Sequence, residues 1–294
     1  MANARVIVKR RKTVRNIRKI TRTMQLIATA RFQAAFSRAT ATKPYTERLA
    51  ALVADISAAA GEGVSHPLMQ ARPEPKRTAL VVLTSARGLC GGYNTAVLRS
   101  ALARLHEEEA RGVPTDVYMV GKKGLNYFKF LRREMVERIA GVGEPPKFEQ
   151  VETLANGLMD RFIRGEVDAV YVAYMRFLSA GRQRPQVLQL LPLSRDSEGK
   201  GTPTDRTVNV QYEFSPPPKE LLEELLPATV RIRLFQCFTD ASVSEQISRM
   251  VAMKAATEAA GDMITTLTRR YNRARQSQIT MELLDIVGGA NALA

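Results

Sequence analysis

The sequence predicts an α/β body in the middle of the chain, carried on a long antiparallel hairpin of helices made by the two chain ends. Three observations predict it. Both ends run for tens of residues without a helix breaker and space their apolar residues by threes and fours. The middle instead holds short runs rich in Val, Leu and Tyr. Helical stretches alternate with those runs, the order that builds a largely parallel sheet through right-handed crossovers.

At the N-terminus no proline precedes Pro44 and no glycine precedes Gly61. Val14, Ile17, Thr21, Met24, Ala28, Arg31 and Ala35 recur at alternating spacings of three and four. Ile20, Ile27, Phe32 and Phe36 widen the stripe, and Arg and Lys fill much of the remaining surface. This is a long amphipathic helix with a coiled-coil-like seam. Lys43-Pro44 marks a bend or the start of a second helix. Beyond it Leu49, Leu52, Val53 and Ile56 continue the pattern.

In the middle, the runs Thr78–Ser85, Asp116–Val120, Asp168–Tyr174 and Gln186–Leu193 read as buried strands. Helices are expected at Ala96–Arg111, Leu125–Arg138 and Glu149–Arg164. Ser194–Thr207 is polar and glycine-containing, hence a loop, and Ser215-Pro216-Pro217-Pro218 marks the exit from the body.

After Pro227 there is no further proline, and between Asp240 and Val287 the only glycine is Gly261. Val243, Ile247 and Met250 step by four and three, and Ile264, Leu267, Tyr271 and Ala274 by three, four and three. A helix over that span reaches roughly 70 Å, so it needs a partner along its length, and the N-terminal helix is the obvious one. Ala255, Ala256, Ala259, Ala260 and Gly261 would let the two approach closely. The expected division is residues 1–60 for the N-terminal shaft helix, 77–207 for the α/β domain, and 208–294 for a linker and the C-terminal shaft helix.

Composition narrows the function. The chain has 294 residues, with 44 Lys+Arg against 29 Asp+Glu and a net charge of +15. Its pI near 10.1 invites nucleic acid or a large acidic partner. No run of about 18 uncharged apolar residues spans a bilayer. Two cysteines do not staple a secreted scaffold and suit a reducing compartment. The charge is also concentrated: residues 1–46 hold 12 Lys and Arg and no acid, whereas residues 240–294 balance six against six. The middle therefore supplies only +3.

Catalytic patterns do not assemble. Gly88-Leu89-Cys90-Gly91-Gly92 sits where a phosphate loop would, but Tyr93-Asn94 follows instead of Lys-Ser/Thr. Gly121-Lys122-Lys123-Gly124 lacks the earlier glycine of a dinucleotide fingerprint, and tight strand-to-helix turns are the favoured reading of both. Cys90 would need a base to act as a nucleophile, and only His66 and His106 exist, in polar peripheral segments. Two Cys and two His at these spacings make no zinc site. No catalytic residue, cofactor or metal is expected. The basic helix could contact nucleic acid phosphates, but its first aromatic is Phe32 and one face is committed to the seam. A basic nucleic-acid-binding α/β protein stays the alternative.

Motifs at the ends go further. Asn16-Ile17-Arg18-Lys19-Ile20-Thr21-Arg22-Thr23-Met24, Lys43-Pro44-Tyr45 and Arg87-Gly88-Leu89-Cys90-Gly91-Gly92-Tyr93-Asn94 occur in order. They are followed by Ser244-Glu245-Gln246, Arg249-Met250-Val251-Ala252-Met253, Tyr271-Asn272-Arg273-Ala274-Arg275-Gln276, Ile279-Thr280 and Ile286-Val287-Gly288-Gly289-Ala290. Together they resemble the gamma subunit of F-type ATP synthases, of bacterial type, from one end of the chain to the other. The resemblance implies a Rossmann-like central domain and an antiparallel coiled-coil shaft turning inside a ring of three alpha and three beta subunits. The foot would meet the epsilon subunit and the membrane c-ring, with one copy per complex and no nucleic acid. It implies a non-catalytic rotor that couples proton translocation to ATP synthesis or hydrolysis.

By motif position the resemblance places Met24, Arg249, Gln276 and Thr280 in coupling or in contacts with the beta subunits. The 12-to-0 charge count adds Arg31 and Arg38, facing acidic loops of those subunits. The nearly uncharged tail Ile286–Ala294 suits a shaft tip turning in an apolar bearing. Ala86, Ala259 and Ile17 depart from residues common in the family, at Asp, Asn and Thr positions. The loop at 194–207 has no cysteine, so the redox switch of chloroplast relatives is not expected. With no separate transit peptide expected ahead of the helix, the implied place is peripheral, on the cytoplasmic face of a bacterial inner membrane.

Overall fold

A computed structural model describes residues 4–59, 66–139, 145–193 and 217–293. The expected loop at 194–207, the Ser215-Pro216 pair and the expected domain limits at 60 and 207–208 lie outside the described residues. The chain divides into two compact units, residues 1–30 with 249–294, and residues 31–248.

The unit 31–248 is a five-stranded sheet between helices. Its elements are the C-terminal part of helix α1 (Ala4–Ala59), strand β1 (Thr78–Leu83), α2 (Tyr93–Ala110), β2 (Thr115–Val120), α3 (Lys122–Phe130), β3 (Glu137–Ile139), α4 (Phe148–Ile163), β4 (Ala169–Ser179), β5 (Arg182–Leu191) and the first part of α5 (Pro218–Leu293). The strand order is β3-β2-β1-β4-β5. The first four strands are parallel, and β5 returns antiparallel to β4.

Strand β1 is buried along its whole length because both of its faces are covered, which is why it reads as an unbroken apolar run. Ala79, Val81 and Leu83 enter a core with α4 (Val151, Leu158, Phe162) and the start of α5 (Leu222, Leu226, Val230). Leu80 and Val82 point the other way, into a core with α2 and α3 (Val97, Ala101, Phe128). The alternation is the period-2 geometry of a strand.

Four expectations are corrected here. The helix expected over Leu125–Arg138 stops at Phe130, and β3 takes Glu137–Ile139. The stop is a backbone motif with no glycine to announce it: Arg132 adopts φ 54°, and Arg133 N–H reaches the Phe128 carbonyl at 3.1 Å. Strand β4 continues to Ser179, and β5 starts at Arg182 and ends at Leu191. The C-terminal helix starts at Pro218, well before Asp240, with Pro227 inside it. Helix α1 also runs unbroken through Pro44, so Ala4–Ala59 is one helix and no second one starts at Lys43-Pro44. A proline costs a helix one backbone hydrogen bond, and packing on neighbouring elements outweighs it at both sites.

The unit of residues 1–30 and 249–294 is an antiparallel helix pair. Arg11 lies over the Tyr271 ring at 5.1 Å, and Thr257 donates to the Thr21 hydroxyl at 2.8 Å, so the two chains run in opposite directions. Ile7, Val14, Ala260 and Leu267 form its buried seam, with Ile264, Tyr271 and Ala274 packed against them. Ile7, Val14, Thr21 and Ala28 are spaced by seven and all buried, as are Met253, Ala260 and Leu267. A strict seven-residue repeat is the pattern of a left-handed two-helix coil.

The seam differs in detail from the expected stripe. Val14, Thr21, Ala28 and Ala35 are on it, but Ile17 is 46% exposed and Arg31 is exposed as well. The second position falls four residues on, at Arg11, Gln25, Phe32 and Ala39, which are half-buried or buried, while Arg18, four residues after Val14, is exposed. Ile20 and Ile27 are exposed at 59% and 49%. The apolar residues of α1 support either choice of second row, and the antiparallel partner selects one. Of Ala255, Ala256, Ala259 and Ala260 only Ala260 is buried, and a Cβ on Gly261 would sit 3.8 Å from Arg18, an ordinary contact.

Candidate functional site

The ends of the parallel strands are where an α/β fold would hold a ligand. Here their polar groups are occupied by the fold itself. The Thr84 hydroxyl donates to the Val120 carbonyl at 2.6 Å and accepts from Gly124 N–H at 3.0 Å. Lys123 N–H is taken by the Ser85 carbonyl at 3.2 Å. Gly121 has φ 91°, and a Cβ there would lie 2.1 Å from the Thr84 carbonyl oxygen. The Gly121–Gly124 segment is thus a close crossing of two strand ends, which explains both glycines.

The loop Gly88–Gly92 closes in the same way. Asn94 accepts from Ser85 N–H at 3.0 Å and donates to the Cys90 sulfur at 3.2 Å. Cys90 is buried, while His106 pairs with Glu109 on the exposed side of α2, and His66 caps the 3-10 turn Pro67–Met69. No base stands beside the thiol among the described residues, and no group of three or more metal-ligating side chains occurs among them.

At the opposite edge of the sheet, charges hold the strand starts together. Asp168 accepts from Arg72 at 2.5 Å, from Lys76 N–H at 2.6 Å and from Arg77 N–H at 3.0 Å. Burial pushes its carboxyl up, but the Arg72 hydrogen bond and the two backbone N–H groups hold it below the ordinary carboxylate range. Asp116 accepts from Arg161 at 2.6 Å and from Arg77 at 3.2 Å, and Arg161 also bonds the Tyr118 hydroxyl and Glu166. These groups satisfy one another.

The expected interface residues fall on the helices. Arg31 and Arg38 are exposed and two turns apart on one face of α1. Met24 is half-buried on the same helix, and Arg249 is buried on α5. Gln276 and Thr280 are exposed on neighbouring turns, with the Thr280 hydroxyl donating to the Gln276 carbonyl at 3.0 Å. The helices bring Gln276 together with Thr280, and Arg31 into line with Arg38.

Two surfaces were not legible beforehand. Beyond Ala274, residues 275–291 of α5 are exposed all round, a length of about 25 Å with no partner helix among the described residues. It carries Ile279, Met281, Leu283, Leu284, Ile286 and Val287, exposed by 43 to 68%. On α1, Ile17, Ile20, Leu26 and Ile27 form a second apolar set outside the seam. Apolar exposure on this scale marks a surface that another molecule covers. In the sequence Ile17 belonged to the expected buried stripe and Ile20 and Ile27 widened it, while only the end of the α5 surface, Ile286–Ala294, was expected to meet an apolar bearing.

A helix pair with exposed apolar residues outside its seam, and a sheet domain whose strand ends are closed, define a class of proteins that work through contacts with other chains. The comparisons name the family. The family model described as ATP synthase matches residues 3–293. The ATP synthase gamma chain of Rhodopirellula baltica is 46% identical over 296 residues, covering 100% of this chain and 99% of that one. That of Leptospira biflexa is 37% identical over 295 residues and that of Haemophilus influenzae 35% over 293, each covering 100% of both chains. The chain belongs to the ATP synthase gamma chain family.

The fold recurs in solved structures. A chain of the Euglena gracilis mitochondrial ATP synthase, in its OSCP/F1/c-ring assembly, matches with a TM-score of 0.67 at 18% identity, covering 99% of this chain and 94% of that one. One from the central stalk and c-ring of the Tetrahymena thermophila enzyme matches at 0.57 and 22% identity, covering 81% and 99%.

Proposed function

We propose that this chain is the central-stalk rotor of an F-type ATP synthase, transmitting rotation between a proton-driven membrane ring and a hexamer of alpha and beta subunits. The observation that carries the reading is the shaft surface: exposed apolar residues on α1 outside the seam, and some five turns of α5 with no partner. A surrounding ring of subunits would bury both.

The shaft is also asymmetric in charge. Residues 1–46 carry +12, whereas residues 240–294 carry no net charge. A turning shaft with one basic and one neutral side presents each surrounding subunit with a different field in turn. That differential interaction is what a conformational change in each catalytic site requires. On this reading the gamma chain catalyses nothing itself. Arg31 and Arg38 would meet acidic loops of the beta subunits, Met24, Arg249, Gln276 and Thr280 would take part in coupling, and the body would meet the epsilon subunit and c-ring. Among the described residues no helix is long and apolar enough to cross a membrane. On the rotor reading attachment would be peripheral, through the complex, on the cytoplasmic face of a bacterial inner membrane.

Co-expression with alpha and beta subunits tests the reading. One copy should co-purify with each hexamer, and the complex should hydrolyse ATP. Deleting residues 275–294 should weaken that complex while the remaining chain keeps its helical content. A chain that binds DNA in a salt-sensitive way and forms no hexamer complex would overturn the reading.

A further inference from the structure

Strands β4 and β5 continue past the rest of the sheet. Strand β1 pairs with β4 only as far as Ala173, whereas β4 and β5 pair on to Ser179 and Arg182, which leaves a two-stranded arm. An isolated hairpin of this kind is marginal in water. This one is anchored: Phe177 packs against Phe32 and Phe36 of α1, with ring centroids 6.4 and 5.7 Å away, and Ser244 of α5 bonds the Met175 carbonyl at 3.1 Å. Gln183 ties the tip by donating to the Ser179 and Ala180 carbonyls at 3.0 and 3.1 Å.

The arm carries an unusual pairing. Arg176 and Arg184 stand directly opposite each other across the two strands. Arg182, two residues from Arg184, shares their face. All three are exposed, and none makes an ion pair with a described residue. Like charges placed opposite each other weaken a strand pair. Guarding the open edge of β5 does not account for them: Pro185 already interrupts that edge, and Arg176 is on β4.

We infer that the Arg176–Arg184–Arg182 face of the arm docks a carboxylate-rich surface of a neighbouring protein chain in the complex, an inference that rests on the rotor reading above. Guanidinium forks match carboxylates in a bidentate geometry, and a partner's carboxylates would replace the mutual repulsion of the arginines with attraction. Gln183 fixes the backbone of the tip, so the three arginines leave it at a set spacing, suited to carboxylates that are themselves fixed on a protein. The arm's anchors, Phe32, Phe36 and Ser244, lie close to residues 31 and 248, the limits of this unit on α1 and α5.

The test compares the wild-type chain with R176Q/R184Q, R176E/R184E and R176K/R184K, each co-expressed with alpha and beta subunits. Removing the repulsion leaves R176Q/R184Q at least as resistant to heat as the wild type, so a fall in its affinity is not a folding defect. Its binding to the hexamer should weaken about tenfold at physiological salt and lose part of its salt dependence. R176E/R184E should weaken it further, and R176K/R184K should recover only part of it, because lysine keeps the charge and loses the fork. A photo-crosslinker at the exposed Leu178 should join an acidic segment of a neighbouring subunit. Unchanged affinity in both the Gln and Glu variants, or crosslinks to lipid alone in membrane-bound complex, overturns the inference and leaves the rotor reading standing. Failure of the wild-type chain itself to form the complex overturns the rotor reading, and this inference falls with it.

Discussion

The Ser244 hydroxyl donates to the Met175 carbonyl at 3.1 Å, with Ser244 fully buried and Met175 nearly so. It joins the long C-terminal helix to the arm at a point beyond the reach of β1. A carbonyl buried there would otherwise go unbonded. Replacing Ser244 by Ala should cost about 1–3 kcal/mol, and Phe177→Ala a similar amount, both read as a fall in urea midpoint. The two substitutions should be non-additive, because both anchor the same arm.

Gly121 and Gly124 offer an internal comparison. Ala at 121 would meet the Thr84 backbone at 2.1 Å in a left-handed conformation, so Gly121→Ala should cost about 3 kcal/mol or more. At 124 the nearest atom is the flexible Met119 sulfur, at 2.3 Å, and Gly124→Ala should be milder. Thermal melts of the two variants would reverse this order if the crossing at Thr84 were looser than described.

Asp168 gives an acid limb to stability. Its carboxyl titrates lower in the fold than its ordinary value of 3.8, so its contribution is complete above that value and is lost as pH falls below it, through the folded pKa. Asp168→Asn should lower stability at pH 7 and flatten the decline below about pH 4. Denaturation midpoints between pH 7 and pH 3 measure both effects.

His66 acts at milder pH. Its Nδ1 accepts from Leu68 N–H at 3.1 Å, which requires an unprotonated nitrogen. Burial lowers its pKa from 6.5, partly offset by Glu223. The folded form therefore holds fewer protons than the unfolded chain, and stability drops as pH falls below 6.5 toward the folded value. Exchange of the Leu68 amide should quicken relative to neighbouring amides over that window. In His66→Asn, which keeps a cap and has no titration, this extra rise should vanish.

The seam register separates folding from assembly. Val14 is 6% exposed and Ile17 46%. Val14→Glu should therefore unfold the helix pair, at a cost of about 3 kcal/mol or more, whereas Ile17→Glu should change the melting of the isolated chain by about 0.5 kcal/mol or less. In the rotor reading Ile17→Glu should still impair association with the hexamer. Equal melting losses in both variants would mean that the seam lies elsewhere.

Much of this was legible in the residues. Helix α4, strand β1, the order of strands and helices, and the row Ile264, Leu267, Tyr271, Ala274 follow from periods of 2 and 3.6, which are local properties of the backbone. The placement of the excess charge on one helix also needed only counting. Strand β3 was not legible, because it is three residues long and follows a helix stop made by backbone geometry at Arg132. The arm was missed because Arg176 interrupts the apolar run of β4 and β5 begins with Arg182, Gln183, Arg184 and Pro185, which do not read as a strand.

The sequence by itself determined which segments are helix and strand, that two long amphipathic helices need each other, and where the charge lies. Only the tertiary structure decided which apolar row of α1 is buried and which is left for another chain. Ile17 and Phe32 are both apolar and both within reach of a helical stripe, and nothing local distinguishes them. The direction and offset of the partner helix distinguish them, since burial is settled by what lies opposite a side chain rather than by the side chain alone.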